Sequence, residues 1–168
     1  NFERLQTLAP GYGYLIRSQN LLSEDEDGIW SYNMVSKEVT FLISLSKLKC
    51  LFLSEDHRFR DSYVNHLEYV PNSNDFIFIF RTVNERGTFD SKLILHNSIS
   101  GEFDVLLDEK HVSHFCWQSE TELFIYATID SIKSFYSYNI RTRRYKIAKD
   151  VCLPQDGHPS FDSTKNYL

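Results

Sequence analysis

Three histidines recur in one pattern: Val64-Asn65-His66-Leu67-Glu68-Tyr69, Val112-Ser113-His114-Phe115-Cys116-Trp117 and Asp156-Gly157-His158-Pro159-Ser160-Phe161. Each has a small polar residue or Gly before the His and an aromatic three positions after it. The spacings, 48 and 44 residues, fall in the roughly 40–50 residues of a β-propeller blade repeat. A shared register in successive sheets would bring the three imidazoles to one height. Three chemistries are open to them. They can be internal hydrogen-bonding groups of the fold, a polar channel lining for a ligand, or the neutral nitrogen ligands of a first-row cation such as Zn²⁺ or Mn²⁺. Arg58, Arg60, Arg81 and Arg86 form a second set. Arginine grips a carboxylate through two parallel hydrogen bonds, although these four can equally pair with Glu55, Asp56 and Asp61. Glu68, Asp156 and Asp61 are a third set, since paired carboxylates serve glycoside hydrolysis at a suitable separation. His57 and His66 are candidate bases. A serine-hydrolase elbow and a phosphate-cradling glycine loop are both missing from the sequence.

The elements that must position these residues read as strands. The 168 residues are 42% hydrophobic and 15% aromatic, with thirteen Phe and ten Tyr against one Met, a composition that favours sheet over helix. Two complete four-strand units are expected. The first comprises Asn65–Val70, Asp75–Thr82, Ser91–Asn97 and Glu102–Asp108. The second comprises Ser113–Trp117, Glu122–Ile129, Ser134–Asn139 and Arg144–Lys149. Asn97 and Asn139 end the third strand of each, and Asn33 sits in the same pattern before the strand Lys37–Ser44. Strands are expected also at 11–22, after Pro10-Gly11, and at Ile29–Asn33. The acidic run Glu24–Asp27 reads as a solvated hairpin loop. Residues 44–63 break the rhythm as a long loop with a helical turn or two near Ser46–Leu51. The fold class expected is therefore all-β, a partial β-propeller over residues 1–168 with about three and a half four-stranded antiparallel blades. These lie near 11–46, 64–108, 112–150 and 156–168.

The net charge of −5 argues against a nucleic-acid partner. No apolar run reaches the roughly 20 residues of a membrane helix. Cys50, Cys116 and Cys152 are odd in number and lack a C-x-x-C pair, which reads as free thiols in a reducing, cytoplasmic setting. A chain starting at Asn1 and stopping inside an expected strand reads as part of a longer protein, and an open arc of blades invites a dimer that completes the ring.

The stretches Gly28-Ile29-Trp30, Lys37–Ser44, Val64–Leu67, Phe78-Ile79-Phe80-Arg81, Val112–Trp117 and Asp156–Phe161 resemble a group of bacterial β-propeller proteins associated with polysaccharide biosynthesis, more distantly similar to the oligogalacturonate lyases. The resemblance spans roughly residues 11–168. It implies a saccharide- or protein-binding propeller without catalysis, with an acidic or hydroxyl-rich saccharide as ligand. The alternative it implies is a metal-assisted lyase or hydrolase on uronate-containing glycans. In the lyases a His-rich metal site lies in the channel, and His66, His114 and His158 are the positions here that match. Expected ligand-binding residues are His66, Glu68, His114, His158, Arg58, Arg60 and Arg81. The chain departs from the group at Phe80, where a His is common before Arg81, and at its Ser-Pro-Asp-Gly turns, which read Val70-Pro71-Asn72-Ser73 and Phe161-Asp162-Ser163-Thr164. No cofactor is implied beyond the divalent metal.

Overall fold

The computed structural model describes residues 22–57, 61–83, 89–109, 111–148 and 155–164. The strands expected near 11–22 and from Lys165 to Leu168 lie outside the described residues, as do Arg58, Arg60 and Arg86. The chain divides into two compact units, residues 1–62 and 63–168. Among the described residues no helix is long and apolar enough to cross a membrane.

The first unit holds an antiparallel hairpin, β1 (Gly28–Tyr32) and β2 (Val39–Ser44), followed by the helix α1 (Leu45–Phe52) and a short 3₁₀ turn at Glu55–His57. α1 lies where a helical turn or two was expected, and the 3₁₀ turn falls in the charged stretch that follows. Ser44 caps α1, its side-chain oxygen accepting from the Lys47 backbone N–H at 3.1 Å, which satisfies a donor that has no partner inside the helix. Leu45 and Leu48, three residues apart, bury one stripe of it. The acidic run does more than meet solvent. Glu24 pairs with the buried Lys49 at 2.7 Å, Asp25 accepts from Ser46, and the Glu24 and Asp27 carbonyls accept from Ser46 and Leu45. The run therefore closes the N-terminal turn of α1, where negative charge is favoured. Gly28 is dictated by space: a Cβ there would lie 2.0 Å from the Ile43 carbonyl oxygen.

The second unit contains two four-stranded antiparallel sheets. One runs in the order β3 (Ser62–Tyr69), β4 (Phe76–Val83), β5 (Phe89–His96), β6 (Phe103–Glu109). The other runs β7 (Val112–Trp117), β8 (Glu122–Ile129), β9 (Ile132–Asn139), β10 (Tyr145–Ile147). Both match the two expected four-strand units, within a few residues at each strand end. The sheets pack face to face. Ile77, Ile79, Leu93 and Leu107 of the first meet Leu123, Ile125, Tyr136 and Tyr138 of the second in one continuous core. The Tyr138 hydroxyl donates to the Leu106 carbonyl at 2.8 Å, so its polar end is satisfied inside the apolar layer. The inner strands are buried on both sides: Phe76, Phe78 and Phe80 alternate with Ile77 and Ile79, and all five are at most 3% exposed. An uninterrupted apolar run of this length is what a sheet covered on two faces requires.

The three asparagines noted in the sequence build one turn three times. The side-chain oxygens of Asn33, Asn97 and Asn139 each accept from the backbone N–H groups two and three residues on, at 2.8–3.1 Å. The residue four positions on, Lys37, Gly101 or Arg143, then takes a φ of 63°, 72° or 58°. It also returns its N–H to the asparagine carbonyl at 2.8 Å each time. Side-chain mimicry of a backbone turn suits Asn. The identity of these turns puts β1–β2 in register with β5–β6 and β9–β10. Asn97→Ala removes two acceptor bonds at an exposed site. It is expected to lower the unfolding free energy by about 1–2 kcal/mol, while Asn97→Asp keeps most of it; urea unfolding of the two variants checks this.

Candidate functional site

His66 stands on β3, His114 on β7 and His158 in the segment 155–164, all within the second unit. One ring nitrogen from each lies within 4.8 Å of the others. The ring centroids are 4.8 Å apart for His66–His114, 3.8 Å for His114–His158 and 5.9 Å for His66–His158. His66 and His114 are half-buried and His158 is exposed, so the cluster opens to solvent on one side.

The backbone is bent to make this meeting. His66 has a φ of 48°, a left-handed conformation that costs a side chain with a Cβ roughly 1–2 kcal/mol. The β7–β8 register shifts between Val112 and Phe115, so a bulge at Ser113-His114 re-aims the His114 side chain. Both departures from regular strand sit at ring-bearing positions. Backbone strain held at such places is characteristic of binding and catalytic sites.

Behind the rings lies a carboxylate. Asp156 Oδ1 is 2.9 Å from His114 Nδ1, and Asp156 Oδ2 is 3.7 Å from His111 Nε2. Ser113 Oγ lies 3.1 Å from the same His114 Nδ1. An ionised carboxylate only accepts, so His114 Nδ1 carries the proton and Nε2 is the nitrogen that a neutral ring would offer to a cation. A carboxylate behind a ligating imidazole fixes its tautomer and raises its basicity. The Asp-His-Ser set is not a nucleophilic triad, because serine and aspartate meet the same nitrogen and Ser113 is 3% exposed.

Burial draws the Asp156 carboxyl upward, yet its hydrogen bonds with Ser113 and His114 and the charges of His114 and His111 leave it below the usual carboxylate range. His66 is pushed down to about 4, first by burial and then by the charges of His114, Arg81 and His158, against the pull of Asp156. His111 is also lowered, mainly by burial, with Lys133 and Arg81 adding to it. His66 is therefore a neutral imidazole at neutral pH, the form that ligates a cation.

Arg81 adjoins the cluster without entering the ligand set. Its Nη2 donates to the Val112 carbonyl at 3.3 Å, the guanidinium carbon sits 6.0 Å from the Phe89 ring centre, and its buried Nε has no hydrogen-bond partner among the described residues. Glu68, two residues beyond His66, is half-buried, and burial raises its carboxyl; the charges that act on His66 are those of other residues. Of the carboxylates considered together, Asp156 is the one that meets the histidines. His57 is an exposed residue of the first unit's 3₁₀ turn. Sequence reading missed the roles of His111 and Ser113 and the one Asp156 plays for His114. The signal available was their closeness in sequence to two of the histidines: Ser113 precedes His114, and Asp156 lies two residues before His158.

No family model, curated protein or solved structure matches the chain.

The acidity of His66 gives a pH dependence whose sign is fixed. Between its ordinary value of 6.5 and about 4, the unfolded chain binds a proton that the folded chain refuses, so stability falls as the pH drops through that window. His66→Asn removes this component and suits the left-handed backbone. In a chelating buffer, the loss of thermal stability between about pH 7 and pH 5 should be smaller in His66→Asn than in the parent. Equal losses in both proteins would refute the assignment.

Proposed function

We propose that this chain is part of a saccharide-binding β-propeller in which His66, His114 and His158 hold a divalent cation and an acidic saccharide is the ligand. The observation that carries the reading is the convergence of three imidazole nitrogens within 4.8 Å, with Asp156 hydrogen-bonded to the ring of His114. The donor set fits a borderline first-row ion: the ligands are imidazoles, His66 is held neutral, and the carboxylate stands behind a ring. Bonds of about 2.1 Å to such an ion would draw the nitrogens closer together than they now stand. When bound, the ion supplies a Lewis-acidic anchor for a carboxylate oxygen.

The chain's own residues account for the choice of ligand. Arg81 places positive charge near His66 and His111, so an anion is favoured where it meets the cluster. The exposed His158 leaves that approach open. The resemblance to propeller proteins of polysaccharide biosynthesis points to a uronate as the source of the anion. Position 80, where the resembled group often has a His, is Phe80, 1% exposed. It has no acid–base chemistry, which favours binding over turnover.

The test is calorimetric titration of the metal-free chain with Mn²⁺ and Zn²⁺, followed by galacturonate and neutral oligosaccharides. Metal binding should weaken by about 10–100-fold in Asp156→Asn and be lost in His114→Ala. Oligogalacturonate should bind only with metal present, and neutral oligosaccharides should not bind. Absence of metal binding would overturn the reading. Formation of an unsaturated uronate, seen by its ultraviolet absorbance, would replace binding with lyase activity.

A further inference from the structure

The three histidines are not held alike. His66 and His114 stand on β3 and β7, strands of the two sheets whose faces close in the seam. His158 lies in the segment 155–164, which runs without helix or strand and in which no residue is buried. Its ring centre nevertheless lies 3.8 Å from that of His114. Contacts other than sheet pairing keep it there.

Two contacts bracket His158. Two residues before it, Asp156 Oδ1 meets His114 Nδ1 at 2.9 Å. Three residues after it, Phe161 packs on the aromatic cluster of Phe124, Tyr126 and Phe135, its ring centre 5.7 Å from that of Phe124, edge to face. That cluster is a firm base. Phe124 and Phe135 are stacked at 4.8 Å, and Phe124 and Tyr126 alternate along β8 with Leu123 and Ile125 of the seam. The link from Phe161 to His158 is short and stiff. Three residues span at most roughly 11 Å, and Pro159 fixes its own φ and biases the residue before it to an extended backbone.

We propose that Phe161 is a positioning residue of the cation site, and that the segment 155–164 and the cation hold each other in place. The inference rests on the cation reading given above and goes beyond it by making the third ligand depend on an apolar contact. Phe161 carries no ligating atom and acts through His158. Three imidazole nitrogens within 4.8 Å of one another must close up around an ion with bonds of about 2.1 Å. The seam fixes the sheets that carry β3 and β7, so the movement falls on His158, the exposed member. A cation that draws His158 inwards also holds the segment on Phe124. A segment anchored at Phe161 in turn loses less freedom when His158 binds. The coupling is reciprocal by linkage.

Hydrogen–deuterium exchange of the full chain with and without Zn²⁺ reads the coupling without any substitution. Exchange across 155–164 should slow when Zn²⁺ is saturating, while β8 and β9 stay as protected as before. Calorimetry then compares variants whose fold is checked by far-ultraviolet circular dichroism. Zn²⁺ affinity should fall about tenfold or more in Phe161→Ala, and Phe161→Leu, which keeps an apolar anchor, should recover most of it. Unchanged exchange across 155–164 in a parent that binds Zn²⁺ would overturn the proposal and leave the cation reading standing. So would Phe161→Ala binding Zn²⁺ as tightly as the parent, or Phe161→Leu binding no better than Phe161→Ala. A parent that binds no Zn²⁺ would overturn the cation reading and this proposal with it.

Discussion

The contact on which the second unit depends is the seam between its two sheets. Ile77, Ile79, Leu93 and Leu107 close against Leu123, Ile125, Tyr136 and Tyr138. Several of these side chains are fully buried, at about 1.5–3 kcal/mol for each large apolar group removed from water. The seam also sets geometry. Once the sheets are stacked, their first strands β3 and β7 come together, and His66 and His114 face each other at 4.8 Å. Polar contacts at the rim hold the same alignment: Asn72 donates to Glu120 at 2.7 Å, and Arg143 reaches the Val105 carbonyl at 2.8 Å and pairs with Asp104. A cavity in the seam would therefore disturb the histidines, which Phe115 of the same core adjoins.

Much of this was legible because the repeat writes each instruction more than once. The alternation in Phe76–Phe80, the run Leu123–Ala127 and the asparagines at 33, 97 and 139 each name a strand or a turn by local chemistry. The three histidines were findable because a shared register in stacked sheets is a statement about space. What stayed hidden depends on contacts distant in sequence. Glu24–Asp27 has the composition of a solvent loop, and only the approach of Lys49 and Ser46 makes it the cap of α1. Asp156 has the composition of a catalytic carboxylate, and only the bulge at Ser113-His114 reveals it as a hydrogen-bond partner of His114. The positive φ at His66 has little sequence signal, since the residue is neither Gly nor Asn and most histidines in strands are extended.

That last feature separates a histidine that merely satisfies a fold from one held for use. A structural imidazole gains nothing from an unfavourable backbone; it could hydrogen-bond from a regular strand. Here the conformation at His66 opposes stability, while burial keeps its ring neutral at neutral pH. The strained backbone meets a residue whose ring nitrogen stands within 4.8 Å of two others. On the proposal above, a bound cation would offset the backbone cost, since it needs the neutral ring and the converging geometry.

Charge completes the logic. Asp156 is oriented by Ser113 and His114 and points its second oxygen towards His111. It meets His114 and His111, while His158 is the exposed member of the cluster. Arg81 meanwhile is tied to the Val112 carbonyl, so its positive charge is fixed next to the cluster. On the proposed reading, a cation held by the three imidazoles, with one arginine nearby and one carboxylate already engaged, would leave the site net positive. An anion would then close the balance, as the carboxylate of an acidic sugar could. The same electrostatics disfavours a neutral ligand, which would gain the hydrogen bonds and leave the charge uncompensated.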